Sequence, residues 1–584
     1  LQKIPFILDL FLENKFDDKT LFIDVRLEAF RHLNKSKMKI LGSHIREKGG
    51  NKMEIRWAHY VKMRRKISYN LRFLFLQLDF ESNSPNDEIL AAAQYVRQIF
   101  NANKTLQQVA LEDLPQAFIP KHLKKYILKA DNAVVRYEML LYQSLRNSIE
   151  AGDVFMKESL NFKSLEDDLI PLKYWQKNQE KIIESIGLSK LSMPMEKLLA
   201  YWKNKVDDLY KKVNTVIKEG NNPGVKIHGT QPDGSTKWTL TTSKASTDYN
   251  HHLYKQFEGI EITDLLHWSN EQTHFLEAFT PVLAKGTHKK PTEKSIYATL
   301  LAFATNHGLT DMANRCEVSY YELHSTAHNF IRIETLQEAN KKIVNASAKL
   351  PMFKYYNQQQ EALHSSSDGQ KFATKFDTIN SRHSSKYFGL EKGVSVYTLV
   401  AGRLPVNAKV MGANEPESPY VFDLLYNNLS DIKPHKHSTD THGTNQVNFA
   451  ILDFFGYQFA PRYKNFVKEA KKIGSFQSPN QHDADDLIKP LDKFDTDLIM
   501  EHGETIRRTI ASLALKNTAQ HIIIRKLSSF KRVNQVQKAL WEYNRIVKTA
   551  FVLQYIHDEI MRQNIENALD SQEGYHRLKK KVFY

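Results

Sequence analysis

The sequence predicts an α+β chain, mostly α-helical and divided into several domains, and three observations carry that expectation. Over residues 1–215 apolar residues recur at three and four spacing, as in Ile67-Leu71-Leu74-Leu78 and Leu140-Leu141-Leu145, and Pro and Gly are sparse. Between 361 and 463 the period falls to that of strands. From 464 to 565 it returns to that of helices. A length of 584 residues gives room for three or four folding units around sizeable cores.

Composition narrows the function classes. The chain is 41% hydrophobic and 25% charged, as soluble globular proteins are. Its 82 Lys and Arg against 66 Asp and Glu leave +16, an excess suited to a polyanion such as DNA or RNA. One cysteine, Cys316, excludes an internal disulfide or a Cys-cluster zinc site and suits a reducing cytoplasm. No apolar run approaches the roughly 18 residues that cross a bilayer, so no membrane partner is expected.

In chain order, residues 1–215 read as a helical DNA-binding or scaffold region. Within it Arg56-Trp57-Ala-His59-Tyr-Val-Lys62-Met-Arg64-Arg65-Lys66 interleaves cations with aromatic rings, as on a helix against a phosphate backbone or on a solvated basic face. Arg64, Arg65 and Lys66 are its candidate DNA contacts. Residues 216–258 hold turn chemistry around Trp238-Thr-Leu-Thr-Thr, a hairpin or linker; Gly229–Ser235 lacks the Lys that a phosphate loop needs. Residues 259–360 are helical, and Ser295–Asn306, Thr310–Arg315 and Tyr320–Asn345 could form a helix-turn-helix with Thr310 as N-cap. Residues 361–463 give strands at Ala362–Asp368, Val394–Ala401 and Lys433–Asp440, helices at Glu415–Leu429 and Asn445–Phe455, and a short strand at Tyr457–Arg462. A helical stretch, 464–565, precedes the start of a further helix at 566–584.

Asp368 and Asp440 each stand where a strand-like run ends in a small-residue turn, and Glu573 opens a helix-like segment. An isolated Asp in a turn ordinarily serves the turn itself. Together the three suggest a site for Mg²⁺ or Mn²⁺, two ions, acting in phosphoryl transfer on nucleic acid. On a helix Glu573, His576, Arg577 and Lys580 share one face, which sets cationic groups beside the third carboxylate. Strand alternation turns His435 and His437 away from Asp440, which speaks against zinc on His435, His437 and His442.

Five segments then carry a resemblance: Ser365-Ser-Ser-Asp-Gly-Gln-Lys-Phe372; Lys386-Tyr-Phe-Gly389 with Gly393-Val-Ser-Val-Tyr397; Ser438-Thr-Asp-Thr-His-Gly443; Phe459-Ala-Pro-Arg462; and Ile524-Arg-Lys-Leu-Ser528. With Leu76-Gln-Leu-Asp-Phe80, Phe118-Ile-Pro-Lys121, Arg136-Tyr-Glu138 and Ala151-Gly-Asp-Val154 upstream, the chain resembles the DDE transposases of class II replicative transposons, the Tn-three family, from about 65 to 580. The resemblance implies an RNase H-like catalytic core interrupted by the helical insertion, with Asp368, Asp440 and Glu573 as the catalytic, metal-binding residues. It places His442, Arg462 and His576 as DNA or transition-state contacts. It implies cleavage at the 3′ ends of paired terminal inverted repeats, transfer of those ends into target DNA, and a homodimer on the paired ends.

Gln572 stands where the family usually has Gly, and Glu566 and Asp570 are nearby rivals of Glu573; His576 and Leu578 at the family's spacing favour Glu573. Relatives extend beyond both ends, which implies a fragment lacking both termini. Two rival functions follow: a truncated, inactive transposase that only binds DNA, and a structure-selective nuclease.

Overall fold

Amphipathic runs in the first third of the chain become helices because their apolar residues line one face of each. The computed structural model describes residues 22–48, 52–84, 86–230, 236–243, 259–283, 290–353, 363–389, 391–529 and 534–583. The chain divides into two units, Leu1–Ser164 and Leu165–Tyr584.

In the first unit helices α1 (Lys52–Lys62) and α2 (Arg64–Gln77) lead to strand β1 (Glu81–Ser82), α3 (Glu88–Asn101), α4 (Ala133–Ala151) and β2 (Val154–Phe155). Asp87 caps α3 by accepting from the N–H groups of Ile89 and Leu90 at 2.9 and 2.8 Å. Gly152, at φ +79°, ends α4 in the left-handed conformation that costs glycine least. Trp57, Phe75, Val96, Tyr137 and Leu141 form the core. Two of the unit's arginines are tied down internally: Arg72 grips Glu138 with two bonds of 2.7 and 2.9 Å, and Arg136 grips Glu54 at 2.6 Å.

The second unit is framed by helices α5 (Met195–Lys218), α6 (Tyr420–Tyr426), α7 (Asn448–Phe454), α8 (Gly503–Leu515), α9 (Gln535–His557) and α10 (Glu559–Phe583). Helix α5 lies along α9, where Trp202 Nε1 donates to Tyr543 Oη at 3.0 Å and Tyr543 donates in turn to Asp453 at 2.8 Å. The expected hairpin is present as β3 (Val225–Thr230) and β4 (Thr236–Leu240); most of the Gly229–Ser235 turn lies outside the described residues. The first two helices expected beyond it are found as Glu293–Ala304 and Gly308–Arg315, but the third, expected over Tyr320–Asn345, breaks at extended Ile331 and Arg332 into Tyr320–Phe330 and Ile333–Ser347; Leu323 is fully buried beside Ala298 and Val318. Thr310 is no N-cap, because left-handed Asn306 and Gly308 turn the chain two residues earlier than expected and the helix starts at Gly308.

The strand-like region forms one mixed sheet of six strands, β5 (His364–Ala373), β6 (Arg382–His383), β7 (Lys392–Ala401), β8 (Leu404–Gly412), β9 (Lys436–Ser438) and β10 (Gln458–Phe459). Its order is β10-β9-β5-β7, with β8 and then β6 along the far edge of β7. The β10-β9 and β9-β5 pairs are parallel; the rest are antiparallel. Helices α6 and α7 pack around it, and Phe422, Phe449, Phe454 and Val552 lie in the shared core.

Two expectations need correcting. Asp368 does not end its strand: β5 runs on to Ala373, because Gly369–Ala373 pair with Gly393–Tyr397 of β7. Glu573 does not open a helix: α10 begins at Glu559, so Glu573 lies in its second half, and Gly574 is carried within it without a contact to prevent that. The described chain is thus mostly helical with one mixed sheet. No helix of the described residues is long and apolar enough to cross a membrane.

Candidate active site

Strands β5 and β9 run parallel with His364, Ser365 and Ser366 opposite Lys436, His437 and Ser438. Asp368 and Asp440 each stand two residues beyond the last pair, Asp368 still within β5 and Asp440 past the end of β9, where it caps the turn Thr441–Gly443. The face of β5 opposite Asp368 is a buried polar layer. Ser365 and Ser367 hold the two nitrogens of His437 at 2.9 Å each, and Ser367 also donates to Tyr397 Oη at 2.8 Å. Burial drives His437 down to about 3 and His364 to about 4, so both imidazoles are neutral parts of the core. His437 is thus engaged away from Asp440, as strand alternation required.

Helix α10 lies across the face that carries Asp368. Ser366 Oγ donates to Ala568 O at 2.6 Å, Gln370 Nε2 to His576 O at 3.2 Å and Lys579 Nζ to Thr398 Oγ1 at 3.3 Å. Gln572, the residue that departs from the family pattern, is buried between Thr398 O and His576 Nε2 at 3.3 and 3.1 Å. Gln572, His576 and Lys579 follow the four- and three-residue steps of one helix face, the face against the sheet. Glu573, Arg577 and Lys580 are exposed beside it. His576 stands at the buried edge of the face that those three share, turned toward the sheet.

His576 Nδ1 stands 3.6 Å from Asp368 Oδ2. Burial, then the charges of Lys579 and Lys580, push His576 down to about 4. Burial lowers Lys579 to about 8, with Asp368 opposing. Asp368 itself rises to about 7, first from burial and then from the charge of Glu417, with Asp440 and Glu573 adding to it and the Gly369 N–H partly offsetting it. The charges of three other carboxylates, Glu417, Asp440 and Glu573, thus reach Asp368.

Glu417 was missed in the sequence. It precedes α6, its side chain is 11% exposed, and Lys371 Nζ lies 3.4 Å away. Burial raises its carboxyl, Lys371 and His442 lower it, and Asp440 raises it further. Gly369 makes its room, since a Cβ at Gly369 would collide with Glu417 Oε1 and sit 2.7 Å from Cδ. A glycine directly after Asp368 in a strand was the available signal: such a residue marks a close approach.

Asp440 accepts from the His442 N–H at 2.8 Å, and the His442 side chain is exposed beside it. Arg462 is tied by its backbone to the same turn, its N–H to Thr439 O at 2.8 Å and its carbonyl from Thr441 Oγ1 at 3.3 Å, while its side chain is exposed. Arg64, Arg65 and Lys66 are exposed at the start of α2 in the other unit. Much of the basic content of the helical stretch 464–565 is spent internally: Lys526 pairs with buried Asp168, Arg545 with Asp492 and Glu542, and Lys548 with Glu469 at 2.5 Å. Lys531 and Arg532 lie outside the described residues.

Such a set of hard oxygen donors, mutually repelling and partly buried, suits Mg²⁺ or Mn²⁺ in its chemistry. As they stand, no three His, Cys, Asp or Glu side chains among the described residues are close enough together to hold an ion.

Residues 264–584 match the family described as Tn3 transposase DDE domain, and the chain belongs to that family. It is 25% identical over 546 residues to the transposase for transposon Tn1546 of Enterococcus faecium, covering 90% of this chain and 52% of that protein. It is 28% identical over 486 residues to the transposase for transposon Tn3926 of Escherichia coli, covering 81% and 47%. With the transposase for transposon gamma-delta of Escherichia coli it shares 24% over 586 residues, covering 97% and 56%. The chain spans about half the length of these relatives.

Proposed function

We propose that the chain acts on DNA by DDE-type phosphoryl transfer, cutting a strand at the 3′ ends of a transposon and joining the freed ends to target DNA. One observation carries this reading: the charges of Asp440, just past the end of β9, and of Glu573, on the helix α10 that crosses this face of β5, both act on Asp368. The strand order β10-β9-β5-β7-β8, with β5 central and the first acidic residue on it, supports an RNase H-like core.

In this reading Asp368, Asp440 and Glu573 hold two Mg²⁺ or Mn²⁺ ions, which when bound supply a more acidic water or 3′-OH and neutralise charge on the phosphoryl oxygens. The chain's own groups do the rest. Neutral His576 stands beside the Asp368 carboxyl without competing as a cation. Lys579, half-buried and acted on by the charge of Asp368, offers a positive charge to a phosphate, and the exposed His442, Arg462, Arg577 and Lys580 flank the acidic centre as phosphate contacts. Terminal repeats, target DNA and a homodimer on paired ends are the partners this reading expects.

A second reading, a chain that binds DNA without cutting it, is favoured by a specific observation: no three candidate ligands among the described residues stand together as an ion would need. A nuclease without joining is the third. One experiment separates them. A labelled transposon-end duplex is incubated with Mn²⁺, target DNA and either the parent chain or its Asp368→Asn and Asp440→Asn variants. Joined product from the parent alone supports transposition, and hydrolysis product alone supports a nuclease. Retained binding with no product from any of the three removes the catalytic reading.

A further inference from the structure

Between β5 and β7 the chain leaves the sheet at Ala373, folds back along β7 where Arg382 and His383 of β6 pair with Gly393 and Lys392, and rejoins the sheet at Lys392. Polar bonds hold this excursion. The Thr378 N–H donates to Ser381 Oγ at 2.8 Å, the Ser381 N–H to Thr378 Oγ1 at 3.1 Å and Arg382 Nη1 to Ile379 O at 2.8 Å, and Ser381 is buried. Its apolar side chains are not spent on that closure: Phe376 is 74% exposed, Ile379 88% and Tyr387 50%.

Exposed apolar residues scattered singly need no account, but these three share one excursion with a set of cations. The Lys375 ammonium stands 5.5 Å from the Phe376 ring centroid, and those of Lys386 and Lys371 stand 4.8 and 5.0 Å from that of Tyr387. From 371 to 392, Lys371, Lys375, Arg382, Lys386 and Lys392 are offset only by Asp377 and Glu391, and Asp377 is taken up by Lys392. The centre of a protein interface is poor in charge. Cations interleaved with exposed rings fit a nucleic-acid strand instead, with phosphates at the lysines and base faces on the apolar side chains.

This surface is continuous with the candidate active site. Lys371, beside Tyr387, follows Asp368 on β5 and also reaches Glu417 at 3.4 Å. At about 3.3 Å per residue, β5 from Asp368 to Ala373 covers roughly 17 Å, which is about five base steps along a DNA strand.

We propose that the 374–391 excursion is a base-contacting surface, on which Phe376, Ile379 and Tyr387 pack against unstacked bases of the DNA strand whose phosphate lies at Asp368, with Lys375 and Lys386 on the adjoining phosphates. The inference rests on the phosphoryl-transfer reading above, which supplies the DNA, and its test is a ratio of affinities rather than a product. A fluorescein-labelled duplex, and the same duplex with an internal stretch of unpaired bases, are each titrated with the full chain across a salt series without divalent ions. Anisotropy reads binding, and circular dichroism checks folding. The parent should bind the unpaired form about tenfold or more tighter, the worth of a stacked base. Phe376→Ala with Ile379→Ala should bring the two affinities together at an unchanged salt slope, and Phe376→Trp should keep the preference. Lys375→Ala with Lys386→Ala should flatten the slope on both forms. Leu160→Ala, at an apolar position of the other unit that is 86% exposed, should leave the ratio unchanged.

A parent that binds both forms equally, or a double apolar variant that keeps the parent's preference, overturns this inference; strand joining by that parent leaves the phosphoryl-transfer reading standing. A parent that binds neither form and makes no product overturns both. If sedimentation shows that the double apolar variant splits a multimer formed by the DNA-free parent, the surface is an interface between copies and the inference falls. Should the double variant lose its fold, Ile379→Ser, at the more exposed position, decides alone.

Discussion

His576 Nδ1 and Asp368 Oδ2 are 3.6 Å apart, a separation that by distance alone would read as an ion pair, yet burial has moved the two groups in opposite directions. With His576 near 4 and Asp368 near 7, the contact at neutral pH joins a neutral imidazole to a half-protonated carboxyl. The charged groups around it are Glu417, Asp440 and Glu573, which hold the proton on, and Lys579, which favours its loss.

A cation at this centre must therefore displace the Asp368 proton. Below about pH 7 its affinity should fall with acidity, approaching tenfold per unit, and Lys579 losing its charge near 8 acts in the same direction. Mn²⁺ titrations at pH 6, 7 and 8 measure this; equal affinities at 6 and 8 would show that Asp368 is already ionised.

Acid should destabilise the sheet through its buried imidazoles. His437 and His364 have folded values of about 3 and 4, below the ordinary 6.5, so the unfolded chain takes up protons first as pH falls. Their contribution is intact above 6.5 and is lost from there down to about 4 for His364 and about 3 for His437, by up to ~1.4 kcal/mol per pH unit for each. Asp368 works the other way, because its raised value makes the folded state the better proton acceptor between about 7 and 3.8. Urea midpoints from pH 7.5 to 5 should accordingly fall more steeply in Asp368→Asn than in the parent; parallel slopes would mean that Asp368 is not shifted.

Lys526 and Asp168 form an ion pair whose side chains are 1% and 0% exposed. Lys526→Met would leave a carboxylate in the core and should cost about 3–5 kcal/mol, while the double change Lys526→Met with Asp168→Leu should recover most of that loss. Urea unfolding of the three proteins provides the measurement. A double variant no better than the single one would argue against a buried charge as the cause.

How far the sequence could be read follows from what kind of pattern each feature leaves. Asp368 and Asp440 were legible because small residues and a break in apolar period surround them, and the parity that turns His437 away from Asp440 holds in the sheet. The length of β5 was not legible, because Asp368-Gly369 has the composition of a turn and Gln370 and Lys371 continue it in polar residues, and because the layer that Ser365, Ser366 and Ser367 form is polar yet wholly buried, its hydroxyls spent on His437, Tyr397 and the backbone. Hydrophobic periodicity cannot register a core layer made of hydrogen bonds. Glu417 lies in Asn414-Glu-Pro-Glu-Ser-Pro419, which has the composition of an exposed turn; its burial comes from the fold, and only Gly369 records it locally. Lys526 likewise looks like surface charge until Asp168, distant in sequence, is set against it.

Arg64 and Arg65 differ from Arg72 and Arg136 of their unit in a way that makes the DNA expectation testable. Both are exposed at the start of α2, whereas Arg72 and Arg136 are committed to Glu138 and Glu54. Phosphate contacts release counterions, about 0.9 in the logarithmic salt slope for each contact on duplex DNA. If both residues lie on the backbone, Arg64→Ala with Arg65→Ala should lower that slope by about 1.8 and weaken binding alike for transposon-end and unrelated duplexes, without changing the unfolding midpoint. Arg72→Ala should do the reverse, lowering stability because Glu138 loses a two-bond partner, and leaving the salt slope unchanged. Fluorescence anisotropy across a salt series, run beside thermal unfolding, reads both effects; an unaltered slope in the double variant would return this helix face to solvent.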